Sequence, residues 1–248
     1  MDDTPVIVFV LVGAFAQLID GSLGMGYKTS TTTFLLTLGV PPIFASSSVH
    51  LGGVFTSAAS GLSHWKLGNL DKALFRQLVI PGIIGGLMGA VLLTKLPTGI
   101  IKPIVSFYLF VMGVRIILKS MQQRTQLNIK TRTTPLGFFG GFFDAIGGGG
   151  WGPIVTSTLM MDGHHPRMVI GSVNIAEFFV TMFQSIAFLI LLDEIAWNVV
   201  IGLIIGGVMV APIAAYITKY IPATRLMLLV GILVMSLSLR TLLTALIG

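Results

Sequence analysis

Long stretches without a charged residue are the feature that most limits how this chain can fold. Residues 77–94 and 195–218 contain no Asp, Glu, Lys or Arg. A helix needs about 20 apolar residues to cross the hydrocarbon core of a bilayer. Only 10% of the 248 residues are charged, against roughly 25% in soluble domains, so the chain cannot cover its own surface in water. The sequence therefore predicts an all-α, polytopic membrane protein.

The apolar segments are of two kinds, uninterrupted and broken by glycine. Uninterrupted helices are predicted near residues 44–63, 74–94, 100–120, 167–192, 197–218 and 223–247. Broken segments are predicted at 5–40 and 135–161, with a polar, basic linker at 121–134 between the halves. The first apolar stretch follows Met1-Asp2-Asp3-Thr4 and lacks a small-residue cleavage site, so we do not interpret it as a cleavable signal peptide.

The two halves of the chain are related in sequence. Sliding the sequence by 124 residues gives twelve identities within positions 13–60. Asp20, Gly24, Gly26, Pro42 and Ser48 fall on Asp144, Gly148, Gly150, Pro166 and Ser172. Weak internal symmetry of this kind is typical of transporters built from repeats. We divide the chain into a first transmembrane repeat (1–120), the linker (121–134) and a second transmembrane repeat (135–248).

The distribution of basic residues predicts how the repeats are oriented. If each broken segment is a re-entrant hairpin, the loops on one side of the membrane carry ten Lys and Arg residues and those on the other side carry Lys95 and Lys102. This asymmetry follows the positive-inside rule. It predicts an inverted repeat in the cell inner (plasma) membrane, with periplasmic termini and a cytoplasmic linker. If each broken segment instead made two short crossings, every loop would lie on the same side as in the hairpin arrangement. The distribution of basic residues therefore does not distinguish the two arrangements.

Each broken segment contains a glycine-dense interruption, DGSLGMGYK at 20–28 and DAIGGGGWGP at 144–153. Irregular backbone at membrane depth is tolerated only where it is buried in protein or lines a wet cavity. The helices that follow, predicted to begin near Thr29 and Ile154, direct free N–H groups and a positive dipole end towards the breaks, as an anion site requires. Alternatively, the glycines serve only close helix packing.

These breaks define a set of candidate anion ligands. They combine backbone N–H groups around Gly26–Ser30 and Gly150–Ile154 with polar side chains near the starts of the following helices. The predicted substrate-binding residues are Gly26, Lys28, Thr29, Ser30, Ser48, His50, Gly150, Trp151, Gly152, Ser172 and Asn174. Lys28 has the alternative of snorkelling to the membrane interface. For His50 and Asn174 the alternative is an interhelical hydrogen bond.

Three carboxylates are the candidates for ion coupling. Asp20 and Asp144 immediately precede the two breaks, and Glu177 lies in the middle of an apolar helix. A carboxylate at membrane depth is costly, so it normally faces a cavity or a partner. The alternatives are that the two aspartates cap N–H groups of the glycine loops, and that Glu177 forms a buried pair with a basic residue.

Several other classes of function are disfavoured by the sequence. Cysteine is absent, which excludes thiolate metal sites and cysteine nucleophiles. The net charge of +6 is dispersed over short loops without an aromatic platform, unlike a nucleic-acid surface. His50 and Ser48 lie two residues apart on one helix and so point to different faces, which argues against an intramembrane hydrolase. An anion channel would need the same breaks and remains an alternative.

Residues 137–174, with the run GGGGWGP, and their weaker counterpart at 13–50 resemble the duplicated signature of the TauE/SafE sulfite exporter family of permeases. The resemblance covers essentially the whole chain. It implies transport of sulfite, sulfoacetate or a related organosulfonate, commonly outward and linked to an ion gradient. The first repeat departs from the glycine run with Gly-Met-Gly-Tyr-Lys-Thr at 24–29.

The partners expected from this interpretation are a small anionic substrate, a coupling ion that is a proton or sodium, and the lipid bilayer. A homodimer is left open, and no cofactor is implied.

Overall fold

The computed structural model describes residues 4–23, 26–66, 68–121, 132–162, 164, 166–217 and 223–247. Within these ranges the chain is helical and contains no strand. The first half comprises α1 (Val6–Leu23), α2 (Tyr27–Thr37), α3 (Pro42–Lys66), α4 (Lys72–Lys95) and α5 (Thr98–Met121). The second comprises α6 (Thr133–Gly147), a π-helical turn (Gly152–Thr156), α7 (Ser157–Met161), α8 (Pro166–Leu191), α9 (Trp197–Ile217) and α10 (Ala223–Ile247).

The predicted all-α fold and both broken segments are confirmed. In the first segment α2 begins at Tyr27 after the non-helical Gly26, and the second segment is interrupted between Gly147 and Trp151. Gly26 has a φ of 110° and Gly148 a φ of 60°, values that glycine adopts without a steric penalty. Gly24 and most of the predicted linker, 122–131, lie outside the described residues.

α4 shows how these helices suit a bilayer. Its exposed face carries large apolar side chains such as Ile80, Ile84 and Met88. Its opposite face carries four buried glycines, Gly82, Gly85, Gly86 and Gly89. Where lipid supplies no hydrophobic drive between helices, small residues let backbones approach closely and gain packing energy. A Cβ on Gly85 would lie 2.0 Å from the carbonyl oxygen of Phe138 on α6, so this crossing requires glycine.

Four described helices are long and apolar enough to cross a membrane: Lys72–Lys95, Thr98–Met121, Met168–Leu191 and Met227–Ile247. Shorter apolar stretches lie at Val6–Asp20 and Trp197–Val210. α3 is as long as these helices but buries a polar run of Ser46, Ser47, Ser48 and His50. The chain is therefore a multi-pass membrane protein in which α3 contributes polar groups to the interior.

The halves interlock rather than fold side by side. α1 packs along α9. In the same way α6, the repeat counterpart of α1, packs along α4, the counterpart of α9. α3 packs on its counterpart α8, and α5 on its counterpart α10. Each half therefore completes its packing against the other, and this brings the two breaks together. The inverted orientation of the repeats and the domain boundaries at residues 120 and 134 stay predictions.

Candidate anion site between the two breaks

The two glycine breaks touch each other. The hydroxyl of Thr29 donates to the carbonyl oxygen of Gly149 over 2.8 Å, and that of Thr32 donates to the carbonyl oxygen of Gly148 over 2.5 Å. A Cβ on Gly149 would lie 2.2 Å from the backbone nitrogen of Thr29. Hydroxyls at the start of α2 thus satisfy carbonyl groups that the second break leaves without helical partners.

Lys28 lies between the breaks and is held by groups of the second half. Its Nζ is 2.6 Å from Asp144 Oδ2 and 3.0 Å from Glu177 Oε1. It also donates to Thr181 Oγ1 over 3.0 Å. The residue is only 6% exposed, so its ammonium group is held inside the protein and does not snorkel to the interface. Glu177, for which a buried pair was the alternative, is paired with this lysine.

Asp144 is the most heavily hydrogen-bonded carboxylate of the site. Its Oδ1 accepts the N–H groups of Gly150 over 2.8 Å and of Trp151 over 3.0 Å. Its Oδ2 faces Lys28 Nζ and, at 3.2 Å, His50 Nε2. A helix N-terminus attracts negative charge, and here the side chain of Asp144 occupies that position. The carboxylate therefore both caps the glycine loop and neutralises buried charge.

In the first repeat, Asp20 caps the glycine loop as Asp144 does in the second, but with fewer contacts. Asp20 Oδ1 accepts the N–H of Tyr27 over 3.2 Å, and Tyr27 is the repeat equivalent of Trp151. No ion pair of Asp20 with a basic side chain is found among the described residues. Both repeats thus use an aspartate to cap the glycine loop, and among the described residues Asp144 is the one of the two that also forms ion pairs.

A narrow cavity of about 30 Å³ opens between the breaks, α3 and α8. It has room for about two water molecules. Nine of the residues predicted to bind substrate or couple ions line it: Asp20, Gly26, Lys28, Thr29, Asp144, Gly150, Gly152, Asn174 and Glu177. The structure thus brings most of the predicted site together, around a space that holds about two water molecules and so is too small for an anion of four or more heavy atoms.

Five predicted ligands do not line the cavity: Ser30, Ser48, His50, Trp151 and Ser172. The indole of Trp151 is fully buried and donates to the carbonyl oxygen of Val173 over 3.2 Å. Ser172 Oγ accepts the N–H of Asp71 over 2.8 Å. The hydroxyls of Ser30 and Ser48 are buried without a hydrogen-bond partner in the described part of the chain. These side chains are parts of the packed interior.

His50 lies behind the cavity wall. Its Nε2 contacts Asp144, while its Nδ1 is 2.7 Å from the carbonyl oxygen of Ser46. Its ring lies 5.6 Å from that of Phe188. Asn174 combines both interpretations that the sequence left open, since its side chain lines the cavity and donates to Ser60 Oγ on α3 over 2.8 Å.

Several lining residues were missing from the sequence prediction. Thr56, Ser57 and Ser60 of α3 face the cavity, and Thr181 binds Lys28 from α8. Thr181 follows Glu177 by four residues, and Ser57 follows Gly53 by four, so helical periodicity places each pair on one face. For Thr181 that periodicity was a usable signal, because Glu177 was singled out by the sequence. The described residues contain no group of three potential metal ligands.

A bundle of apolar helices with a polar cavity between two broken segments is the architecture of a secondary membrane transporter. The profile of the sulfite exporter TauE/SafE family matches residues 9–241, and the chain belongs to that family. The name of the family indicates a membrane transporter.

Curated relatives carry membrane transporter names. The chain is 42% identical over 247 residues to the probable membrane transporter protein YtnM of Bacillus subtilis (strain 168), covering 95% of this chain and 82% of the relative. It is 26% identical over 152 residues to the probable membrane transporter protein ORF9 of Sinorhizobium sp, covering 59% of this chain and 58% of that protein. No solved structure matches the chain.

Proposed function

We propose that this protein is an ion-coupled carrier that exports a small sulfur-containing oxyanion, such as sulfite, sulfoacetate or a related organosulfonate, across the cell inner membrane. The observation that carries the proposal is the Lys28 ammonium group, buried between the two breaks and shared by Asp144 and Glu177. The name of the family supports the sulfur oxyanion as substrate and export as direction.

The lining of the cavity contains a set of hydrogen-bond donors that suits an oxyanion. Lys28 supplies three N–H donors and a full positive charge. Around it lie neutral hydrogen-bonding groups, the hydroxyls of Thr56, Ser57 and Ser60 and the amide of Asn174. An oxyanion binds such a set through charge-assisted hydrogen bonds. Because the cavity is too narrow as it stands, we infer that the anion takes a place on Lys28 that a carboxylate now occupies.

We infer from the same geometry that the three carboxylates respond to the coupling ion. Asp20, Asp144 and Glu177 all line the cavity, and an anion that enters it meets their charge. A cation bound at one of them offsets that repulsion, so the coupling ion and the substrate assist each other's binding.

The Lys28→Met variant is expected to lose transport. Within the described residues Lys28 is the one basic side chain that lines the cavity, and methionine replaces it with a similar volume and no charge. We would measure sulfite and sulfoacetate flux in proteoliposomes with imposed proton or sodium gradients. Wild-type protein should give saturable, gradient-stimulated flux, and Lys28→Met only the background of protein-free liposomes.

Lys102→Met is the matched control, because Lys102 lies near the start of α5, outside the cavity lining, and should transport as wild type does. Full activity of a folded Lys28→Met would refute the assigned site. Flux that neither saturates nor responds to a gradient would indicate an anion channel. If no sulfur oxyanion moves although the wild-type protein is folded, the substrate assignment is wrong.

We also propose the inverted-repeat topology, with periplasmic termini and a cytoplasmic linker. The chain has no cysteine, so single cysteines can be introduced directly. A membrane-impermeant maleimide added to intact cells should label Thr98→Cys and Asp193→Cys, and leave Lys66→Cys and Arg132→Cys unlabelled until the membrane is permeabilised. Labelling of both pairs from one side would contradict the orientation derived from the basic residues.

A further inference from the structure

His50 contacts the buried ion pairs from behind the cavity wall. Nδ1 lies 2.7 Å from the carbonyl oxygen of Ser46, which only accepts, so Nδ1 carries a proton. Nε2 lies 3.2 Å from Asp144 Oδ2. Whatever its protonation state, His50 adds no negative charge to the site.

Two carboxylates, Asp144 and Glu177, share the positive charge of Lys28. Lys28 carries one positive charge and Glu177, 3.0 Å away, one negative charge. Asp144 also pairs with Lys28 and Asp20 lines the same cavity, so the carboxylates already outnumber the lysine. Net charge at membrane depth is costly, so an added anion requires a compensating positive charge. Within the described residues Lys28 is the one basic side chain that lines the cavity, so the compensating charge must enter with the anion, and a proton bound at a carboxylate would supply it.

Among the three carboxylates, Glu177 is placed to take that proton. Asp144 is fully buried, and donors surround both of its oxygens, so that a proton there would break an existing bond. Asp20 accepts the N–H of Tyr27 and has no described ion pair with Lys28. Glu177 is 19% exposed, lines the cavity and contacts Lys28 through Oε1. Protonation of Glu177 removes the charge that competes with the anion for Lys28.

Resting on the proposed function, we propose that Glu177 is the binding site of the coupling proton, and that its protonation releases one position on the Lys28 ammonium group to the oxyanion. Asp144 keeps Lys28 in place while this happens. Proton and anion then bind cooperatively and cross together. With a dianion, one negative charge moves per cycle, and an interior-negative potential favours its exit.

Calorimetric titration of purified protein with sulfoacetate tests this assignment. Repeating the titration in buffers of different ionisation heat gives the protons taken up per anion. Wild-type protein should take up about one proton, and its affinity should fall up to about tenfold per pH unit once Glu177 is ionised. Glu177→Gln imitates the protonated residue, so it should bind at high pH as tightly as wild type does at low pH, without proton uptake.

Asp71→Asn is the matched control, because Asp71 caps the start of α4 outside the cavity lining, and it should retain the proton uptake of wild type. Asp20→Asn tests whether the proton binds at Asp20 instead. Proton uptake by Glu177→Gln, or its loss in Asp20→Asn, would overturn the assignment while leaving the anion site intact. A folded wild-type protein that binds no sulfoacetate, and transports neither sulfoacetate nor sulfite, would overturn the proposed function and this inference with it.

Discussion

The Asp144→Ala variant is expected to show no transport and to lose about 3–5 kcal/mol of its free energy of unfolding, as when one partner of a buried pair is removed. Truncation leaves the N–H groups of Gly150 and Trp151 without their carboxylate and removes the 2.6 Å partner of Lys28. The ion pair that joins the two breaks is lost at the same time. Thermal unfolding in detergent measures the stability, and proteoliposome flux measures the function.

Asp71→Ala supplies the comparison for this prediction. Asp71 also accepts two backbone N–H groups, those of Ala73 and Leu74, at the start of α4, but it has no described ion pair. Loss of such a helix cap costs about 1 kcal/mol. Equal losses of stability in Asp71→Ala and Asp144→Ala would mean that the buried ion pair contributes nothing. Asp144→Asn, which keeps one acceptor oxygen, should be folded and inactive.

The second large effect is expected from Gly149→Ala, which should separate the two breaks. Gly149 has a φ of 153°, and an added Cβ would lie 2.2 Å from the nitrogen of Thr29 and 2.6 Å from the carbonyl carbon of Lys28. Backbone atoms cannot move away as a flexible side chain can. Strain and overpacking together should cost about 2–6 kcal/mol and displace Lys28 from Asp144. Flux in proteoliposomes should fall to background.

Gly39→Ala separates backbone strain from the steric clash. Gly39 has a φ of 85°, and its added Cβ would meet no atom within 4 Å. This variant should lose only the strain energy, about 1–3 kcal/mol, and should still transport. If Gly149→Ala is as active and as stable as Gly39→Ala, the close contact of the breaks is not needed for function.

The long helices and the two interruptions were predictable because their signals are local. A run such as 195–218 without charge can only be buried or face lipid. This property depends on the summed hydropathy of adjacent residues, so it can be read from a short stretch of sequence. The glycines of 144–153 interrupt a helix through their own backbone preferences. The structure confirms both features, with α2 beginning at Tyr27, two residues before the predicted start.

The position of the Lys28 side chain could not be predicted from local sequence. Its side chain is long enough either to reach an interface or to remain inside, and nothing near it in sequence distinguishes these outcomes. Its partners Asp144 and Glu177 lie in the other half of the chain, so only the docking of the halves determines the pairing. His50 is a similar case, since sequence placed it near the break but not on the far side of Asp144 from the cavity.

The sequence by itself determined a multi-pass helical membrane protein of two related halves, each with a broken segment and an aspartate before the break. Composition, periodicity and backbone preference carry this information, because each acts over a few turns of helix. Only the tertiary structure decided which polar groups meet. That outcome depends on how α3, α6 and α8 cross and on glycine contacts between the halves, and so on atoms that are distant in the chain.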